Sequence, residues 1–182
     1  MPILYLVRHG QAAAGFGSHA DPGLDEVGRS QALAAAAELM QLPVMNVVSS
    51  PLARARQTAE PLCEHWQCAP LIESRIAEIP SPTTDLSARS AWLQQAMQGR
   101  WSDLGPAYQQ WREQLADYLI SRPTDTVFFS HYVAINAAVG AASGDDRMLV
   151  FRPNNASITR LTTDGQRLQV LELGGEAITH IN

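Results

Sequence analysis

The stretch Leu4-Tyr5-Leu6-Val7-Arg8-His9-Gly10 joins two things that seldom meet in one segment. Its first four residues are uniformly apolar, the pattern of a strand covered on both faces. In place of a bland turn it then delivers a permanent cation, an imidazole that titrates near neutral pH, and a glycine. A charge at that depth needs a partner. Two further segments repeat the design: Thr126-Val127-Phe128-Phe129-Ser130 ends in His131, and Val47-Val48-Ser49-Ser50-Pro51 leads to Arg54.

The intervening sequence reads as helices and further strands. Asp25–Leu42 has apolar residues at helical spacing, an aspartate able to cap its start, and Pro43 just past its end. Leu52–Trp66 reads as a helix that Pro61 should bend or restart. Ala69–Ser74 reads as a strand, Asp85–Gln98 and Pro106–Ser121 as amphipathic helices, and Val133–Ser143 as a helix of small residues. Met148–Pro153, Ala156–Thr163 and Gln166–Leu173 read as strands, the last two joined through Asp164-Gly165, a strong hairpin signal. Strand–helix alternation followed by a terminal hairpin implies an α/β three-layer sandwich. Its central sheet should be mostly parallel, with helices on both faces and an antiparallel edge.

Bulk composition narrows the function classes. The 182 residues suit one α/β domain, and 46% apolar content is enough for a core, which excludes a disordered interaction protein. A net charge of −5 with no Lys/Arg run argues against nucleic acid or an anionic membrane surface as the partner. The N-terminal residues lack a signal-peptide pattern and no apolar run is long enough to span a membrane, so a cytoplasmic protein is expected. Cys63 and Cys68, with His65 between them, match no common zinc signature and read as reduced thiols.

In parallel sheets ligands sit beyond the carboxyl ends of the strands. There this sequence gathers Arg8, His9, Arg54 and His131 from segments far apart along the chain. Like charges repel in a crevice unless an anion joins them, and a phosphoryl group suits guanidinium forks.

The motifs "LVRHGQ", "SSPLARARQTA" and "FFSHY", in this order and spacing, resemble the histidine phosphatase superfamily with its phosphoglycerate mutase-like fold, and "DPGLDEVGRSQA" resembles that family's second segment. The resemblance runs from Ile3 to about Asn155 and is loose over Pro80–Thr124. It implies His9 as nucleophile, neutral so that it can attack phosphorus, and Arg8, Arg54 and a cationic His131 as the phosphate cradle. It implies Glu78 as general acid, with Glu73 and Asp85 as nearby alternatives. No metal and no cofactor are implied. Gln11 and Tyr132 are further candidates for substrate contact, Tyr132 standing where the family usually has glycine.

Other departures bear on the reaction. Mutase-like members carry Ser or Thr at the position of Ala12 and Asn at that of Gly15. The chain is also short, which favours hydrolysis over mutase transfer; mutase activity and a phospho-ligand-binding pseudoenzyme stay as alternatives. Residues 79–122 are expected to form a cap over the site within a single domain spanning 1–182. In that segment Trp92, Trp101, Tyr108 and Trp111 have the spacing of core residues, and its few cations, Arg89, Arg100 and Arg112, do not favour a multiply phosphorylated substrate. A small phosphorylated metabolite and a phosphohistidine protein both remain open as substrates, and the oligomeric state is not readable.

Overall fold

The computed structural model describes residues 1–15 and 17–177; residues 178–182 of the expected domain lie outside the described residues. Strand β1 (Ile3–Arg8) pairs in parallel with β4 (Thr126–Ser130), and β4 pairs in parallel with β2 (Asn46–Ser49). The short β3 (Leu71–Ile72) extends that side in parallel. On the other side β5 (Ile158–Thr163) lies antiparallel to β1, and β6 (Leu168–Glu172) antiparallel to β5. The order is β3-β2-β4-β1-β5-β6, a mostly parallel sheet with an antiparallel edge closed by the Asp164-Gly165 turn.

Alternation along the strands builds two cores. Leu4 and Leu6 of β1, with Phe128 of β4, face one side, where helices α4 (Pro106–Ile120) and α5 (Tyr132–Ser143) bury Leu115, Leu119, Ile135 and Val139. Tyr5, Val7, Val127 and Phe129 face the other, against α1 (Glu26–Leu39) and α2 (Ala53–Trp66). The apolar runs have no polar face because helices cover both sides. The remaining helix, α3 (Leu86–Ala96), buries none of its residues.

Helix starts follow the expected chemistry in α1 and α3, where Asp25 accepts from Gly28 N at 2.7 Å and Asp85 from Ala88 N at 2.9 Å. Two readings do not hold. Of the bend or restart expected at Pro61, the restart does not occur: α2 runs unbroken because Ala59, Leu62, Cys63 and Trp66 are buried against the sheet on either side of the lost hydrogen bond. Met148–Pro153 is not a strand. Its amides are held elsewhere: Asn136 Oδ1, buried in α5, accepts from Val150 N at 2.8 Å and Phe151 N at 3.1 Å, and Met148 N donates to Gly99 O. Met148 and Phe151 are buried and Leu149 and Val150 half-buried, but with these amides committed the segment's β pairing is reduced to the isolated bridge of Pro153 with Glu176.

The segment 79–122 divides. Helix α4 belongs to the three-layer core, and Trp101 stacks on Trp111 at 5.8 Å and Trp92 lies against Tyr108 at 5.3 Å in that same core region. Only α3 turns residues toward the cleft at the carboxyl end of the sheet.

Candidate active site

The carboxyl ends of β1, β2 and β4 are laced together by backbone bonds, His9 N to Ser130 O and Ser50 N to Phe129 O, both 3.0 Å. This brings Arg8-His9 beside Ser130-His131. Gly10 is required here by a close approach: a β-carbon on it would stand 2.5 Å from Gly28 O in the first turn of α1. Its amide donates to Thr58 Oγ1 at 3.0 Å, and Thr58 Oγ1 in turn donates to Arg54 O at 2.7 Å. The first strand end, the first helix and α2 are thereby clamped around His9.

Above these residues opens a cleft of about 710 Å³ lined by Arg8, His9, Arg54, Glu78, Gln11 and Tyr132, among others. His9 Nδ1 lies 2.7 Å from Gly10 O, and a carbonyl only accepts, so Nδ1 carries the proton and Nε2 keeps its lone pair. Arg54 Nε accordingly donates to His9 Nε2 at 3.2 Å. Burial first, and then the charge of Arg54, pushes the His9 imidazole down to about 3, so it is neutral at every physiological pH.

His131 is fully buried behind His9, with ring centroids 5.2 Å apart, and does not line the cleft. Its Nε2 lies 2.7 Å from Ser50 Oγ, and Nδ1 has no partner among the described residues. The expectation of a cationic His131 is not met by the protein's own groups. Burial, His9, Arg54 and Arg8 all act against its charge and hold it well below the usual imidazole range.

Glu78 is the only one of the three candidate acids that lines the cleft. Glu73 is instead paired with Arg75 at 2.7 Å, and Asp85 caps α3. Glu78 does a second job that sequence reasoning missed: its carboxylate accepts from Val133 N at 3.1 and 3.2 Å and from Ala134 N at 3.2 Å. It therefore caps α5, whose N-cap residue His131 makes no side-chain cap. Burial raises its proton affinity, opposed by these amides and by Arg54. Asp21 plays the matching part at α2, accepting from Ala53 N at 2.8 Å one residue before Arg54.

Arg8 donates from Nη1 to Pro153 O at 2.8 Å, and its guanidinium lies over the Tyr132 ring, 4.8 Å from the centroid. Tyr132 thus forms wall and support at once. Gln11 reaches the cleft, yet its amide donates to Asp25 Oδ2 at 2.8 Å, the ordinary loop role. Asn155 was not foreseen: it lines the cleft and donates from Nδ2 to His9 O at 3.1 Å. The next residue, Ala156, takes a left-handed backbone (φ 57°) and donates to Arg8 O at 2.9 Å. The turn-forming composition of Pro153-Asn154-Asn155 was the only signal in the sequence.

Arg89 lines the cleft from α3, whereas Arg112 pairs with Asp146 and is bound to Asp145 O far from it. Cys63 is buried and its thiol is pushed up to about 12, an unreactive group. Among the described residues no group of three or more His, Cys, Asp or Glu side chains could hold a metal ion, and no helix is long and apolar enough to cross a membrane.

Known proteins resemble this chain. The chain is similar to a probable phosphoglycerate mutase, GpmB, of Erwinia tasmaniensis, 27% identical across 87% of this chain and 83% of that protein. Two solved structures share the fold: a mycobacterial glucosyl-3-phosphoglycerate phosphatase in complex with VO3 (24% identity, TM-score 0.72, covering 97% of this chain and 100% of that one), and a phosphoserine phosphatase of Entamoeba histolytica with 3-phosphoglyceric acid (20%, TM-score 0.76, 96% and 98%). The family model of the histidine phosphatase superfamily, branch 1, matches residues 4–175, which includes all of the sheet but Ile3 and every residue of the cleft named above, and the chain belongs to that superfamily.

Proposed function

We propose that the protein is a phosphatase that hydrolyses a phosphomonoester, or the phosphoryl group of a phosphohistidine protein, through a covalent intermediate on His9. One observation carries the reading: a neutral imidazole, locked by Gly10 O with its Nε2 lone pair at the cleft, stands with the buried Arg54 and the half-buried Arg8 guanidiniums. A nucleophile, its orienting partner and preformed charge stabilisation are together.

In this reading Nε2 attacks phosphorus as the P–O ester bond breaks, and the leaving oxygen takes its proton from Glu78. Arg54 shifts its donor from the ring to a phosphoryl oxygen, and Arg8, braced by Pro153 O and Tyr132, holds another. The dianion's negative charge offsets the arginines that depress His131, so a proton on the buried ring becomes favourable only with phosphoryl bound. Water then attacks phosphorus, Glu78 takes its proton, and the P–N electron pair returns to Nε2. The amides of Val133 and Ala134 stabilise Glu78 in its carboxylate state between the two steps. The guanidiniums supply the charge a metal would supply, so chelator should leave the rate unchanged.

The test is a quench experiment with labelled substrate. Label on the protein should survive alkali, be lost in acid, and vanish in His9→Ala, because a phosphoryl group on nitrogen is acid-labile. Label that survives acid would sink the mechanism. The similarity to a protein named as a mutase supports one alternative, transfer to an acceptor alcohol. With 3-phosphoglycerate, mutase action yields the 2-isomer without net release of phosphate; absence of the 2-isomer removes that alternative.

A further inference from the structure

Helix α3 presents Arg89, Leu93 and Met97 to the cleft, residues spaced four apart and hence on one face. Opposite them the loop contributes Ala12, Ala13 and Ala14. Beyond the phosphoryl cradle these two walls carry methyl, isobutyl and thioether groups, while the polar side chains elsewhere in the lining are already engaged: Gln11 with Asp25, Asn155 with the His9 carbonyl, and His19 with the Asp21 amide. The charges agree. Three guanidiniums, Arg8, Arg54 and Arg89, face the Asp25 carboxylate in the cleft, together with Glu78, which carries its proton when an ester binds. A bound phosphoryl dianion matches the positive charge left over, so none remains for a second anionic group on the substrate. Leu93 and Met97 are only half-buried by the protein itself, so apolar surface is there to be covered.

Resting on the phosphatase reading of this cleft, we infer that its substrates are phosphomonoesters of uncharged, largely apolar alcohols or phenols, seated between α3 and the Ala12–Ala14 loop. Carboxylated esters such as phosphoglycerates are the wrong class for it.

The experiment separates binding from turnover. Calorimetric titration with n-alkylphosphonates from ethyl to hexyl, which cannot be hydrolysed, should show affinity rising about two- to fourfold per added methylene. Leu93→Asn and the nearly isosteric Met97→Gln should each flatten that slope. A flat wild-type series overturns the inference without recourse to any variant. So does tighter binding of 3-phosphonopropionate than of propylphosphonate, since the two differ by a carboxylate. Phosphate release from the matching alkyl phosphates reports on the phosphatase reading itself. A chain-length slope in binding with no release from any ester would leave the apolar specificity standing and remove hydrolysis.

Discussion

The two walls of the cleft are built in opposite ways. The cradle wall, on the strand ends and the first turns of α2 and α5, buries Ser49, Ser50, Arg54, Thr58 and His131 and ties them to one another through backbone and side-chain bonds. The α3 wall buries none of its own residues. Charge stabilisation needs donors held still before the reaction, and a buried network of such bonds provides that. A wall that meets the variable part of a substrate needs only shape and surface. The contrast teaches that the proposed chemistry and the proposed selectivity lie on parts of the chain with different burial.

The comparison is most severely tested at Glu78, which lines the cleft and is the proposed acid for the leaving group. Glu78→Gln keeps the shape and removes the transferable proton. The expected loss is roughly 10²–10⁴-fold in kcat with an alkyl phosphate and small with a nitrophenyl phosphate, whose leaving group needs little protonation. Equal losses on both substrates would remove Glu78 from the acid role. Next in size is Arg54→Ala, expected to lower kcat by at least about 10²-fold; a change confined to KM would make it a binding group only.

Stability separates the walls further. Thr58→Val leaves the Gly10 amide unpaired in a buried place and should destabilise by about 1–3 kcal/mol in denaturant titration. His9 adds a pH signature. Its folded-state value near 3 lies below the unfolded one, so the unfolded chain binds more protons between these limits and stability falls as pH drops through that window. Glu78, shifted upward, acts in the opposite sense as pH rises above the usual carboxyl range. His9→Asn should therefore show a shallower fall of Tm from about pH 6.5 toward 4 than the wild type; an unchanged slope would contradict the buried neutral ring. The smallest effect belongs to α3, where exposed Gln94→Ala should change stability by no more than about 0.5 kcal/mol.

The sequence by itself determined the sheet's central strands, the helices that cover them, the hairpin edge, and the convergence of Arg8, His9, Arg54 and His131. Each of these follows from periodicity and strand-end position, which are local and survive in one dimension. Met148–Pro153 reads as a strand because an apolar run looks the same whether its amides join a ladder or bond to Asn136, fourteen and fifteen residues away. Tyr132 was visible as an unusual residue, but its place beneath Arg8 depends on how α5 meets β1. Tertiary structure alone decided that Glu78 caps α5 from a distant loop, that Asn155 holds the His9 carbonyl, and that His131 is neutral without an anion's help. The reason is that partners distant in sequence, and the loss of water around a buried ring, set the proton affinities, and neither is written in the order of the residues.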